Sequence, residues 1–225
     1  MGQLIAETIR VYGASFWKAL PLGAPLAVAD QLSVHHSLWA QLAVFFAVTP
    51  LFAAGYLWAC RLVLGASVTR VAVALAVLIY LPFPLGRAFY IIPGLAWLAF
   101  VGLAVPAAMV ERLGFRDALA RGRQLGRADY AHALGSLAAL VLVVGVADNV
   151  LSALLHSQST GQRVALALSD AVLSPLLFVG GALLYVDQAA RVGSRRSRKR
   201  SRRNADLHPP VDADPAGRPD PQVEP

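Results

Sequence analysis

The sequence predicts an all-α membrane protein, a polytopic bundle of six transmembrane helices with two amphipathic interfacial helices and a disordered C-terminal tail. Two observations lead to this fold class. Hydrophobic residues make up 57% of the 225 residues and charged residues only 15%, whereas about a quarter of a soluble domain is charged. The apolar residues also form runs long enough to cross a hydrocarbon core of roughly 30 Å.

Residues 1–18 predict the first interfacial helix. From Leu4 to Phe16 apolar side chains recur at helical spacing, and the charged side chains lie largely off that stripe. Trp17 and Lys18 end the segment with an aromatic ring and a cation, which both favour the headgroup region. We therefore expect this helix to lie on the membrane surface.

Six apolar segments within residues 19–190 predict the transmembrane domain. The first segment is interrupted by Pro21, Pro25 and Asp30. The third, between Arg70 and Arg87, gives only about 24 Å of helix, so its flanking arginines would have to reach back toward water. The predicted spans cover residues 19–34, 38–60, 71–86, 88–110, 131–155 and 164–186.

The connection between the fourth and fifth spans, residues 112–129, predicts the second interfacial helix. Apolar and small residues fall on one helical face, and Asp117 stands four residues before Arg121, a spacing that supports a helix. An arginine-rich amphipathic helix is suited to anionic lipid headgroups. The candidate lipid contacts in this helix are Arg116, Arg121, Arg123 and Arg127.

Residues 191–225 form a basic and then proline-rich tail that cannot bury a core, so we expect it to be disordered. Its cations could attract anionic lipid, nucleic acid or ribosomal RNA. Because the tail would lie beside the inner leaflet, lipid is the favoured partner and no specific nucleic acid is expected. The candidate contacts are Arg195, Arg196, Arg198, Lys199, Arg200, Arg202 and Arg203.

The distribution of cations predicts the orientation. With six spans and a cytoplasmic N-terminus, only Arg87 and Arg163 of the 20 lysines and arginines lie outside, and such a bias sets the topology of membrane proteins. We therefore expect a bacterial plasma-membrane (inner-membrane) protein with both termini in the cytoplasm. Cleavage after Ala29, at a sequence resembling a signal-peptidase site, would leave five spans, but the long amphipathic segment before it favours an uncleaved first span.

Polar residues inside the last two predicted spans are the candidate intramembrane site. Asp148 and Asn149 lie in the fifth span and Asp170 in the sixth, with each aspartate roughly 10 Å from the outer end of its helix. Ionisable groups in a span are costly and are functional candidates by default. The two carboxylates could bind a cation or carry a proton. In the favoured alternative they are structural, and Arg87 and Arg163 pair with them to lock the helix ends together.

Neither a metal nor another cofactor is predicted. His35, His36 and His156 could ligate zinc together with Asp30, but their spacing matches no metal signature. Cys60 is the only cysteine, so no intramolecular disulfide can form. We find no Walker loop, nucleophile elbow, dinucleotide fingerprint or metalloprotease motif, so the sequence does not predict an enzyme.

Three segments resemble bacterial integral membrane proteins related to the membrane domain that precedes some glycerophosphodiester phosphodiesterases. They are residues 5–17, residues 92–130 with the motifs Ile-Pro-Gly-Leu and Val-Pro-Ala-Ala-Met-Val-Glu, and residues 174–187 from Ser-Pro to Leu-Tyr-Val-Asp. The resemblance covers roughly residues 4–190 and implies a multi-helix bundle with interfacial helices and no established activity. The phosphodiesterase catalytic domain is not expected here, because only the tail follows Arg191, and no catalytic residues are carried over.

These observations predict a non-catalytic membrane protein that binds lipids or partner proteins. The alternative is a transporter of a small solute or cation that uses Asp148 and Asp170. A lipid-active enzyme is the least favoured hypothesis.

Overall fold

The computed structural model describes residues 2–33, 36–82, 84–85, 91–154 and 159–207. Within these residues the secondary structure is helical and no strand occurs, which confirms the predicted all-α class. Met1–Ala189 form one compact unit, and Ala190–Pro225 form a second. The helices are α1 (Gly2–Ala14), α2 (Phe16–Ala19), α3 (Ala24–Ser33), α4 (Leu38–Leu64), α5 (Arg70–Tyr80), α6 (Ile91–Val101), α7 (Ala104–Val110), α8 (Phe115–Ala128), α9 (Tyr130–Leu154), α10 (Ser159–Leu173) and α11 (Pro175–Leu207), with a 3-10 turn at Leu20–Gly23 between α2 and α3.

Four helical stretches in the described residues are long and apolar enough to cross a membrane. They are Leu38–Leu64, Pro93–Val110, Tyr130–Leu151 and Arg163–Ser194. The second stretch comprises most of α6 and all of α7, and the fourth comprises most of α10 and the first part of α11. A membrane-embedded helical protein is therefore supported, but six spans are not confirmed.

The two remaining predicted spans are shorter or broken. In the first predicted span, residues 19–33 form the end of α2, the 3-10 turn and α3, because Pro21 lacks the N–H that a continuous α-helix needs at this point. Residue 34 lies outside the described residues. In the third predicted span α5 has 11 residues, or about 16 Å. Of the rest of this span, residues 81–86, positions 83 and 86 lie outside the described residues.

An aromatic cluster joins α4, α5 and α11 in the core. Phe52 stacks on Tyr80 with ring centroids 6.3 Å apart and also contacts Phe178 at 6.3 Å. Glycines let the helices approach, since a Cβ placed on Gly181 would lie only 3.2 Å from the ring of Tyr56. Burial of these large rings supplies much of the contact between the three helices.

The first helix packs against the bundle through a narrow stripe. Leu4, Thr8 and Tyr12 are buried at a spacing of four residues, whereas Ile9 is 56% exposed. Thr8 reaches Gly180 of α11, where its hydroxyl would lie 3.5 Å from an added Cβ. The predicted helix is present, and its position on the membrane surface stays a prediction.

The last helix extends further than the sequence analysis predicted. α11 continues to Leu207, whereas the sequence predicts disorder from residue 191, and disorder of the tail stays a prediction. Arginine is a good helix former, and this segment contains no proline. Residues 208–225 lie outside the described part of the chain.

Candidate functional site

The arginine-rich helix α8 is fixed to the spans through its small residues. A Cβ on Gly122 would lie 2.6 Å from the backbone nitrogen of Ala104, and one on Gly126 would lie 2.8 Å from the carbonyl oxygen of Phe100. Leu125 is fully buried in the same interface. The face of α8 that carries Gly122 and Gly126 therefore packs directly against the backbone where α6 ends and α7 begins.

A polar cluster centred on Glu111 also holds α8. The Nε of Arg121 donates to both carboxylate oxygens of Glu111, at 2.9 and 3.2 Å, and its Nη1 donates to Gln124 at 3.0 Å. The hydroxyl of Tyr185 on α11 donates to the same carboxylate at 3.0 Å. The guanidinium of Arg121 is thus already bonded to protein groups. Arg121 is therefore less suited to lipid contact than the other predicted arginines of this helix.

The other three arginines of α8 lie on its exposed side. Arg116, Arg123 and Arg127 are all exposed. The guanidinium of Arg127 lies 5.4 Å from the ring centroid of Phe100, a cation–π contact. Within the part of the chain that the structure describes, Arg116 and Arg123 form no ion pair. Three uncompensated cations therefore stand on one side of a helix whose other side packs on the spans.

A second polar pair joins the start of α9 to α11. His132 Nε2 lies 3.3 Å from Asp187 Oδ2, a salt bridge when the imidazole is protonated. The next residue, Gln188, is fully buried, and neither of its amide atoms bonds to a group that the structure describes. Neither these residues nor the Glu111 cluster were predicted from the sequence, although a polar Gln188 at the end of an apolar run is visible there.

The predicted intramembrane site is resolved only in part. Asp170 is 3% exposed, and the hydroxyl of Ser174 donates to its backbone carbonyl at 2.6 Å. Asn149 is exposed on α9 and donates to the carbonyl of Gly145 at 2.7 Å. The side chain of Asp148 lies outside the described part of the chain, so its pairing with Asp170 stays a prediction.

Of the two arginines predicted to flank that site, the structure describes only Arg163. Arg87 falls outside the described residues. Arg163 is exposed, and its backbone carbonyl accepts from Gln31 Nε2 at 3.1 Å, which ties α10 to α3. The structure does not test the ion pairs expected between these arginines and the aspartates.

Aromatic side chains satisfy carbonyl groups where helices break. Pro106 cannot donate to Gly102, whose carbonyl instead accepts from Tyr56 OH at 3.2 Å. Before Pro175, Tyr12 OH donates to Val172 at 2.6 Å, and burial raises the pKa of Tyr12, which keeps this donor protonated. Broken helices can expose backbone groups to ligands, but these two carbonyls are already occupied.

The structure reveals no metal centre in its described portion, since no three His, Cys, Asp or Glu side chains converge there. Of the histidines considered as zinc ligands, His35 and His156 lie outside that portion. No family model, curated protein or solved structure matches the chain. The resemblance to the phosphodiesterase-associated membrane domain therefore remains a prediction.

Proposed function

We propose that this protein is a non-catalytic membrane protein that binds anionic lipid headgroups through the exposed arginines of α8. The observation that carries the proposal is the pair of opposite faces on this helix. One face is fixed on the spans by Gly122 and Gly126. The other presents Arg116, Arg123 and Arg127 to the surroundings.

The connectivity supports a position of α8 at the membrane surface. The helix joins the candidate spans Pro93–Val110 and Tyr130–Leu151, so it begins and ends on the same side of the bilayer. Its 14 residues make a helix of about 21 Å. An amphipathic helix in this position places its cations at the depth of the lipid phosphates.

The charge of α8 supports a cytoplasmic location for this helix. Four of its 14 residues are arginines, namely Arg116, Arg121, Arg123 and Arg127. Arginine and lysine accumulate in cytoplasmic connections. The anionic lipids of an inner leaflet are then the natural counter-charge.

The size of the effect can be estimated from the number of arginines. Each basic residue near an anionic surface contributes about 1 kcal/mol. Three arginines therefore contribute about 3 kcal/mol, which corresponds to a factor of roughly 100 in affinity. Arg121 is left out of this sum because Glu111 already neutralises it.

The test compares lipid binding by the wild-type protein and a charge-neutralised variant. Full-length protein in a neutral detergent is titrated with phosphatidylglycerol or phosphatidylcholine, and bound lipid is counted by native mass spectrometry. The triple variant Arg116→Gln, Arg123→Gln, Arg127→Gln should lose most of the preference for phosphatidylglycerol, by a factor of roughly 100. Binding of phosphatidylcholine should not change.

A matched control separates this surface from general charge effects. Arg163 is also an exposed arginine on a helix, and Arg163→Gln removes the same charge outside α8. We expect Arg123→Gln to weaken phosphatidylglycerol binding about fivefold and Arg163→Gln to leave it unchanged. A triple variant that keeps the wild-type preference would show that α8 does not bind these headgroups.

A further inference from the structure

One face of α9 is left uncovered by the protein. In the candidate span Tyr130–Leu151 only 18% of the apolar window is buried, against 50 to 67% in the other three. Leu142 is 66% exposed and Val146 is 53% exposed. Asn149, one turn further along, is exposed as well.

The two faces of α9 follow the same heptad spacing but have different environments. The inner face packs within the bundle and consists of Ala133, Leu137, Leu140 and Val144, all buried. Alternating steps of four and three residues along one face are the pattern of a two-helix seam. The outer face has this spacing at Leu142, Val146, Asn149 and Ala153, all exposed.

Asn149 distinguishes this face from an ordinary lipid-facing surface. Its Nδ2 donates to the carbonyl of Gly145 at 2.7 Å, which leaves its amide oxygen and one N–H hydrogen without a partner among the described groups. Lipid cannot satisfy an amide, so covering this residue with acyl chains is costly. A helix that supplies a polar group at the same depth is a better cover.

A second copy of the chain meets this requirement by symmetry. All copies of a membrane protein insert in the same orientation, so a two-fold axis along the membrane normal brings each residue opposite itself. Asn149 then meets the Asn149 amide of a second copy, and an amide is both donor and acceptor. We propose that the α9 face formed by Leu142, Val146 and Asn149 is a self-association surface for a second copy of this chain.

The geometry of such a pair can be tested by disulfide cross-linking. In a parallel two-helix seam the Cα atoms of a core position lie within the range that a disulfide spans. Val146→Cys in the full-length protein, oxidised in native membranes, should give a covalent dimer at least several times above background. The wild-type protein provides that background, because its one cysteine, Cys60, is buried.

A matched control and a second variant complete the test. Val77→Cys places a thiol on α5 at a site that is also apolar and exposed, and it should cross-link little. Adding Asn149→Leu to Val146→Cys should reduce the dimer severalfold. Equal cross-linking at positions 146 and 77, a dimer unaffected by Asn149→Leu, or cross-linking to a different protein would each overturn the proposal.

Discussion

At the scale of single residues, Glu111 shows what sequence reasoning could not find. Its carboxylate accepts from Arg121, ten positions away, and from Tyr185, 74 positions away. The spacing to Arg121 does not match a helical pair, and nothing in one sequence indicates a contact across 74 residues. Asp170 was identified because an acidic residue in an apolar run is visible locally, whereas the pairing of Glu111 depends on tertiary packing.

The buried amide of Gln188 leads to a stability prediction. Both of its amide atoms lack a partner among the described groups, and the side chain is fully buried. An unpaired polar group of this kind costs roughly 1–3 kcal/mol. Gln188→Met keeps a similar side-chain length, so it should raise the free energy of unfolding by about that amount. The measurement is equilibrium unfolding in mixed micelles.

Gln124→Met is the control for that substitution. The amide oxygen of Gln124 accepts a hydrogen bond from Arg121, so Gln124→Met should not raise the free energy of unfolding. Destabilisation by Gln188→Met would indicate that the amide has a partner, such as a bound water, and would contradict the expectation.

At the scale of elements, the positions of the helix breaks could not be predicted from hydrophobic periodicity. Pro50 lies inside the uninterrupted α4, whereas Pro106 and Pro175 stand next to breaks. At the two breaks the hydroxyls of Tyr56 and Tyr12 each donate to a backbone carbonyl. A proline in the sequence therefore did not predict a break by itself. The hydrophobic runs did predict α4 and α9, and the amphipathic pattern predicted α8, each within a few residues.

The docking of α8 gives a prediction about one glycine. Gly122→Ala adds a methyl group 2.6 Å from a backbone nitrogen of Ala104, and overpacking of this kind costs about 1–3 kcal/mol. Alanine gains up to about 1 kcal/mol in helix propensity, so the clash should prevail and the protein should be destabilised. The thermal midpoint in detergent measures this effect.

For Gly13→Ala, in contrast, we expect no destabilisation. Nothing lies within 4 Å of a Cβ at that position, so the propensity gain should act alone and the midpoint should stay equal or rise. If both variants gave the same midpoint, α8 would not be docked as closely as the structure shows.

At the scale of the whole molecule, the number of spans depends on residues 16–33. The indole of Trp58 donates to the carbonyl of Lys18 at 3.1 Å, and Pro25 lies beside Gly55. This segment therefore runs antiparallel to α4. Its helical pieces of 4, 4 and 10 residues extend over about 29 Å. That length approaches the roughly 30 Å of a hydrocarbon core, so a broken first span is physically feasible. Together with a crossing at the short apolar helix α5, it gives the six spans that we expect.

Two cysteine substitutions distinguish six spans from four. His36 precedes α4 and Ser67 lies between α4 and α5, and both are exposed. With six spans and a cytoplasmic N-terminus, a membrane-impermeant maleimide added to intact cells should label His36→Cys but not Ser67→Cys. Four spans reverse the two results, because residues 16–33 then stay on the cytoplasmic side. The buried Cys60 keeps the background low. The same experiment locates α8, because an even number of spans leaves it on the side of the N-terminus in either case.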